Sequence, residues 1–143
     1  EDVFPNKKLM GSERLQSVAF ESVFLENKQS GKFAIKKLPI DLQMSPIYGF
    51  AVDDFNHDGI TDLIAGGNFY ANQINIGKCD ASYGHLLTLK NNNEELKWKT
   101  LSLLESGFAV DGEVRDIKVL NGEGDKKFVL VSKNNENLDL FSF

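Results

Sequence analysis

From residue 22 onward the chain alternates short apolar runs with clusters of Gly, Asn, Asp and Ser, the pattern of short strands joined by turns. Ser22-Val23-Phe24-Leu25-Glu26 reads as a strand, residues 27–31 as a turn, and residues 32–38 as the return strand, closed by Pro39. Residues 48–55 form the next strand, and Leu63-Ile64-Ala65-Gly66-Gly67 another. A longer polar loop follows over 68–84. Residues 86–90 and 96–104 predict a hairpin around Asn91-Asn92-Asn93, residues 114–120 and 127–132 a second one, and residues 138–143 a final strand. Only residues 6–22 carry a helical pattern. Leu15, Val18 and Ala19 recur at that spacing and Ser12 stands where an N-cap would; a loop with one helical turn is the competing reading.

The strand pattern repeats. Phe33-Ala34-Ile35-Lys36-Lys37-Leu38-Pro39-Ile40 resembles Leu96-Lys97-Trp98-Lys99-Thr100-Leu101-Ser102-Leu103, an offset of 63 residues from Phe33 to Leu96. Gly59 aligns with Gly124, an offset of 65, which lays Leu63-Ile64-Ala65 on Phe128-Val129-Leu130. All-β units of this period, with about four strands each, suggest propeller blades. The expected fold is therefore all-β: about two four-stranded antiparallel propeller-type blades, a piece of a propeller or an open stack. Residues 1–143 are expected to form one domain, with an N-terminal segment over 1–22, a blade unit over 23–90 and a second over 91–143.

Composition narrows the function classes. The chain has 143 residues and 41% hydrophobic content, enough for one real core. Its net charge of −5 argues against a nucleic-acid partner, which normally meets a clustered basic face. No run of 18 or more apolar residues is present, so no membrane-spanning helix is expected. Cys79 is the single cysteine, which excludes an intrachain disulfide without fixing the compartment. The first residues, Glu1-Asp2-Val3, carry no initiator Met and no signal peptide, so a processed or excised chain is the expectation.

The chemistry concentrates in Asp54-Phe55-Asn56-His57-Asp58-Gly59-Ile60-Thr61-Asp62. Calcium takes six to eight oxygen ligands. Asp54, Asn56 and Asp58 supply side-chain oxygens at alternate positions, Gly59 allows a turn with positive φ, the Ile60 carbonyl can point inward, and Asp62 can close the sphere. Three carboxylates this close repel one another unless a cation sits among them. An EF-hand is excluded, because Ala65 stands where that loop needs a bidentate Glu and both flanks read as strands. An ordinary Asp/Asn/Gly turn is the bland alternative. In the repeat copy the aligned positions hold Val119, Asn121, Glu123, Gly124 and Lys127, a set that should bind nothing, so one Ca2+ is expected rather than two.

The run Asp54 to Leu63 is similar to the FG-GAP/VCBS repeat, the blade unit of integrin-α-type β-propellers, matching D-F-N-x-D-G-x-x-D-L at every fixed position. Further stretches resemble the C-terminal part of large VCBS-repeat proteins of Bacteroidetes-type bacteria, related to the cartilage-acidic-protein-like group. They are Ser22 to Asn27, Leu38-Pro39, Gln43 to Pro46, Asp80 to Gly84, Gly112 to Ile117 and Asn134-Asn135. The resemblance implies an exported, non-catalytic propeller module, secreted, periplasmic or at the cell surface. It implies calcium at the hairpin loop, on Asp54, Asn56, Asp58, Ile60 and Asp62. The chain departs from the family in holding too few blades to close a ring.

Other candidates stand beside this one. Tyr48, Tyr70 and Tyr83, with Phe69, lie on or near loops, where aromatic rings can hold a sugar or a peptide; packing between sheets is the alternative. Arg115, with Glu113 and Asp116, could line a polar pocket or form ordinary ion pairs. Two histidines and one cysteine, scattered, do not make a zinc site. The expected function is a calcium-stabilised binding or scaffold module contacting protein or glycan through loops. The alternatives are a fragment of a carbohydrate-active enzyme, which would need a free carboxylate pair, and an assembly piece that self-associates or meets missing blades through open strand edges.

Overall fold

The computed structural model describes residues 11, 13, 15–92 and 95–143. Its strands are β1 (Val23–Asn27), β2 (Phe33–Lys37), β3 (Ile47–Asp53), β4 (Asp62–Gly67), β5 (His85–Asn92), β6 (Glu95–Thr100), β7 (Val114–Asn121), β8 (Lys127–Lys133) and β9 (Asp139–Ser142). A 3-10 turn, Ile40–Gln43, lies between β2 and β3, and a one-turn helix α1, Leu103–Ser106, between β6 and β7. All pairings are antiparallel, in three sheets ordered β1-β2, β3-β4-β5-β6 and β7-β8-β9. The all-β architecture read from the turn spacing is thus present, with the strands divided two, four and three among the sheets.

The sheets are layered, with the four-stranded one in the middle. Every residue of β4 is buried, which explains why Leu63-Ile64-Ala65 is a continuous apolar run rather than an alternating one. Successive side chains point to opposite faces of a strand. Ile64 and Ala51 enter a core shared with Ile117, Val129 and Val131 of the three-stranded sheet. Leu63, Ala65 and Leu87 enter a second core on the opposite face, with Leu42 and with Leu38, Ile47 and Trp98 packed around it. Phe24 of β1 meets the Trp98 ring edge-on at 5.8 Å, bringing the β1–β2 ribbon onto that face. Gly49 explains how closely β7 approaches β3. A Cβ there would stand 3.0 Å from the Ile117 side chain and 3.1 Å from the Asp116 backbone carbon.

Four expectations are corrected. The helix over 6–22 does not exist in its described part: residues 15–20 are irregular and exposed, with Leu15, Val18 and Phe20 facing outward. Their apolar side chains have no surface to bury against, and amphipathic periodicity without tertiary packing does not sustain so short a helix. Ser12 lies outside the described residues. The boundary between units at 90/91 falls inside the β5–β6 hairpin, where Lys90 pairs with Lys97 and Asn91 with Leu96. β6 stops at Thr100 rather than Leu104. Ser102 accepts from the Glu105 N–H while Glu105 reaches back to the Ser102 N–H, a capping box that starts α1.

The fourth correction concerns the repeat. In β4 Leu63 and Ala65 share the face toward β1–β2, with Ile64 on the other; in β8 it is Val129 and Val131 that face the preceding sheet. Leu63 therefore corresponds to Val129, one residue beyond the sequence alignment, and a one-residue slip exchanges the two faces of a strand. The shorter β7–β8 loop, 122–126 against 54–61 in β3–β4, misled the alignment through its glycine.

Ile64→Ala should lower the unfolding free energy by about 2–5 kcal/mol, whereas Phe50→Ala, at a site 66% exposed, should stay within about 0.5 kcal/mol. Urea denaturation of the two variants measures the contrast.

Candidate metal centre and the opposite loop face

The acidic run forms the connection between β3 and β4, as its flanking apolar residues predict. Asp53 and Asp62 pair across the base of the hairpin. The chain then turns tightly, with Gly59 at φ 81° and His57 at φ 58°, both left-handed. His57 faces solvent, between the candidate ligands. Asp54 accepts from the N–H of Asp58 (3.1 Å) and of Gly59 (2.8 Å), so its two oxygens gather the turn. Asn56 Oδ1 accepts from the Asp58 N–H at 2.9 Å, and Asp58 Oδ1 from the Ile60 N–H at 2.8 Å. These local side-chain bonds hold Asp54, Asn56 and Asp58 on the inside of one small loop.

Asp62 differs from the other three. It is fully buried, and its Oδ2 accepts from the Phe55 N–H at 3.2 Å. Its Oδ1 is buried and has no hydrogen-bond partner among the described residues. A buried carboxylate oxygen left this way is costly, and it calls for a cation or a proton. Burial raises the Asp62 pKa, the N–H groups of Phe55 and Asn56 oppose that, and the charges of Asp58 and Asp54 raise it further; the Asn56 N–H faces the carboxylate without closing a hydrogen bond to it. Asp54 and Asp58 are therefore near enough for their charges to reach Asp62. Among the described residues no three Asp, Glu, His or Cys side chains converge into a preassembled cage. The carboxylates of Asp54 and Asp58 are turned toward the backbone N–H groups of the loop instead. The donor set still fits a hard cation: carboxylate and amide oxygens, one backbone carbonyl available at Ile60, and an orphaned oxygen at the closing position.

Lys127, which the sequence alignment set against Asp62, does something specific. Its ammonium bonds both oxygens of Asp53 at 3.0 Å, tying the start of β8 to the end of β3. The lysine side of this bridge holds the Asp53 carboxyl below its ordinary pKa.

The opposite end of the same hairpin gathers most of the other candidates. Tyr48 is the second residue of β3 and Tyr70 follows β4, about 20 Å from the acidic loop by strand rise. The Arg115 guanidinium lies 5.0 Å from the Tyr48 ring, and Phe69 packs on the ring's other neighbourhood at 6.3 Å. Lys78 stands over the Tyr70 ring at 4.4 Å. Tyr83 is elsewhere, in a shallow cleft with His85, Thr100 and Ser102. The structure thus sets Tyr48 beside Arg115, bonds the Tyr70 backbone to the same Glu113 that holds Arg115, and leaves Tyr83 out. Asp116 also separates from Arg115 and pairs with Lys118 at 3.2 Å.

Two polar residues organise this end: Glu113, which the sequence offered as a neighbour of Arg115, and Asn68, which it did not single out. Glu113, 3% exposed, accepts from the Tyr70 N–H (2.7 Å), Arg115 (3.1 Å) and Asn134 (2.7 Å). Asn68, 1% exposed at φ 80°, donates to the carbonyls of Ser82 and Gly112 and accepts from the Ser82 N–H and the Ser45 hydroxyl. Only a positive φ at a non-glycine position could have marked Asn68 beforehand, and sequence does not display φ. Cys79 pairs with Phe69 in an isolated bridge, and its sulfur accepts from Asn72 at 3.1 Å. His85 is partly buried, which lowers its pKa, and its Nε2 lies 3.3 Å from the Ser82 hydroxyl.

The bonds from Asn134 and the Tyr70 N–H lower the Glu113 pKa. A depressed folded-state pKa gives stability that is complete above the unfolded value, about 4.3, and lost as pH falls toward the folded one. Glu113→Gln should therefore flatten the fall in thermal midpoint below about pH 4.3, read by calorimetry across pH 2.5–6. Comparison with protein-family models, with curated proteins and with solved structures finds no match for this chain.

Proposed function

We propose that the chain is a calcium-stabilised, non-catalytic binding module of the exported, propeller-type class. The observation that carries the metal reading is the buried, unpartnered Oδ1 of Asp62 at the closing position of the D-x-N-x-D-G loop. Asp54, Asn56, Asp58 and Asp62 would hold the ion through side chains and Ile60 through its carbonyl. Calcium there supplies charge neutralisation and a fixed corner between β3 and β4, and it does so by mass action, since the unfolded chain does not assemble the loop.

The surface best suited to a ligand is the opposite end, where Tyr48 is 45% exposed beside the Arg115 guanidinium. A planar cation stacked near an aromatic ring suits a glycan ring or a peptide carrying an acidic or aromatic group. Glu113 fixes the guanidinium from below, so the pair is held in place before any ligand arrives.

Saturating calcium should raise the thermal midpoint over that in excess EGTA by several degrees, and magnesium should do much less. Asp58→Ala should remove most of the shift, and Asp62→Asn should reduce it while adding stability in chelator. Equal midpoints in calcium and EGTA would refute the metal reading.

A further inference from the structure

The two larger sheets carry the same face in two different states. In the three-stranded sheet the face toward β3–β4 is made of Ile117 and Val119 on β7 with Val129 and Val131 on β8, and it is covered. The corresponding face of the four-stranded sheet is Phe50 and Val52 on β3 with Ala65 and Leu63 on β4. There Phe50 is 66% exposed and Val52 56% exposed. They border an apolar groove of about 570 Å³ that runs from Leu25 on β1 to Trp98 on β6.

The covered copy shows what belongs in the groove. Ile117 and Val119 are covered by the inner strands β3 and β4, which present Gly49, Ala51, Ile64 and Gly66. On the other side of the four-stranded sheet, β1 and β2 stand where only an outer pair would. β2 matches β6 in the repeat, each followed by a short helical turn and then an inner strand, and Phe24 of the ribbon packs on Trp98 of β6. β1 pairs with β2 alone among the described strands, so its second edge is open. The groove is continuous with the established core between the ribbon and the sheet, through Leu63 and Ala65.

We propose that this groove seats two further β-strands, a hairpin that pairs with the open edge of β1 and sets small side chains against Phe50 and Val52. A second copy of this chain is a poor occupant. Its free end face carries the exposed Asp116 and Lys118 where β3 presents Gly49 and Ala51, too bulky for the same close approach even though Leu120 and Leu140 are exposed on that face. The occupant is a segment of the β3–β4 type, Gly or Ala on its inner strand and a β-branched residue on its outer one. The inference rests on reading the molecule as a stack of repeated sheets, and it is independent of the metal.

Appending a second copy of residues 46–67 ahead of Glu1 supplies such a hairpin in cis. In saturating calcium the appended chain should melt roughly 5 °C or more above the parent. The emission of Trp98, the only tryptophan, should shift to the blue, and the outward amides of β1 should gain protection from hydrogen exchange. Val52→Lys in the original β3 should abolish these gains and leave the parent's midpoint within about 2 °C. An appended chain with the parent's midpoint and β1 exchange would overturn the proposal. So would a parent that sediments as a dimer with β1 and Val52 protected. The calcium-against-EGTA comparison is made on the parent alone, so either reading can fail without the other.

Discussion

Everything in this protein hangs on how closely β7 lies against β3. Sheets that pack face to face usually keep about 10 Å between them. Here Gly49 leaves no side chain at the crossing, and Ile117 fills the space that a Cβ would take. That contact lets Ile64 and Ala51 of one sheet share a dry core with Val129 and Val131 of the next. It also forces β4 to be apolar on both faces, since a second sheet-like layer lies beyond it. A strand with no polar face cannot show a period of two, and β4 does not.

The ends of the β3–β4 hairpin satisfy their buried polar groups in different ways. At the Asn68 and Glu113 end each buried polar side chain bonds to neighbouring loops of the same chain. At the acidic end Asp62 Oδ1 lacks such a partner. The chain therefore satisfies one end by itself and leaves a buried carboxylate oxygen at the other without a hydrogen-bond partner among the described residues. Lys127 neutralises Asp53 there but is bonded to both oxygens of that group. The hairpin is thus fully hydrogen-bonded at one end and under-bonded at the other.

How much of this the sequence displayed follows from the physics of each element. β3, β4 and the loop between them were legible, because apolar runs flanking an Asp/Asn/Gly cluster constrain both the turn and the strands. The alignment of Leu63 with Phe128 does not match the faces of the two strands, where Leu63 and Val129 each meet the preceding sheet. Gly59 and Gly124 look equivalent in letters, yet their loops differ in length, and only burial shows which neighbour Val129 faces. The helical spacing of Leu15, Val18 and Ala19 misled because periodicity reports a face without reporting what covers it. Asn68 was invisible, and Glu113 legible only as a neighbour of Arg115, for the opposite reason: the Gly112 and Tyr70 contacts lie 44 and 43 residues away, and single residues carry no period.

Asn68 also makes the junction of these loops chemically exacting. Its amide donates twice and accepts twice, joining the segments that hold Ser45, Ser82 and Gly112. Hydrolysis of that one amide would replace the donating nitrogen by a carboxylate oxygen, aimed at the carbonyls of Ser82 and Gly112. Two attractions would become two repulsions inside a site 1% exposed, and no water could enter to relieve them. A side chain serving as the common knot of three loops thus tolerates no change from amide to acid, even one that leaves its shape intact.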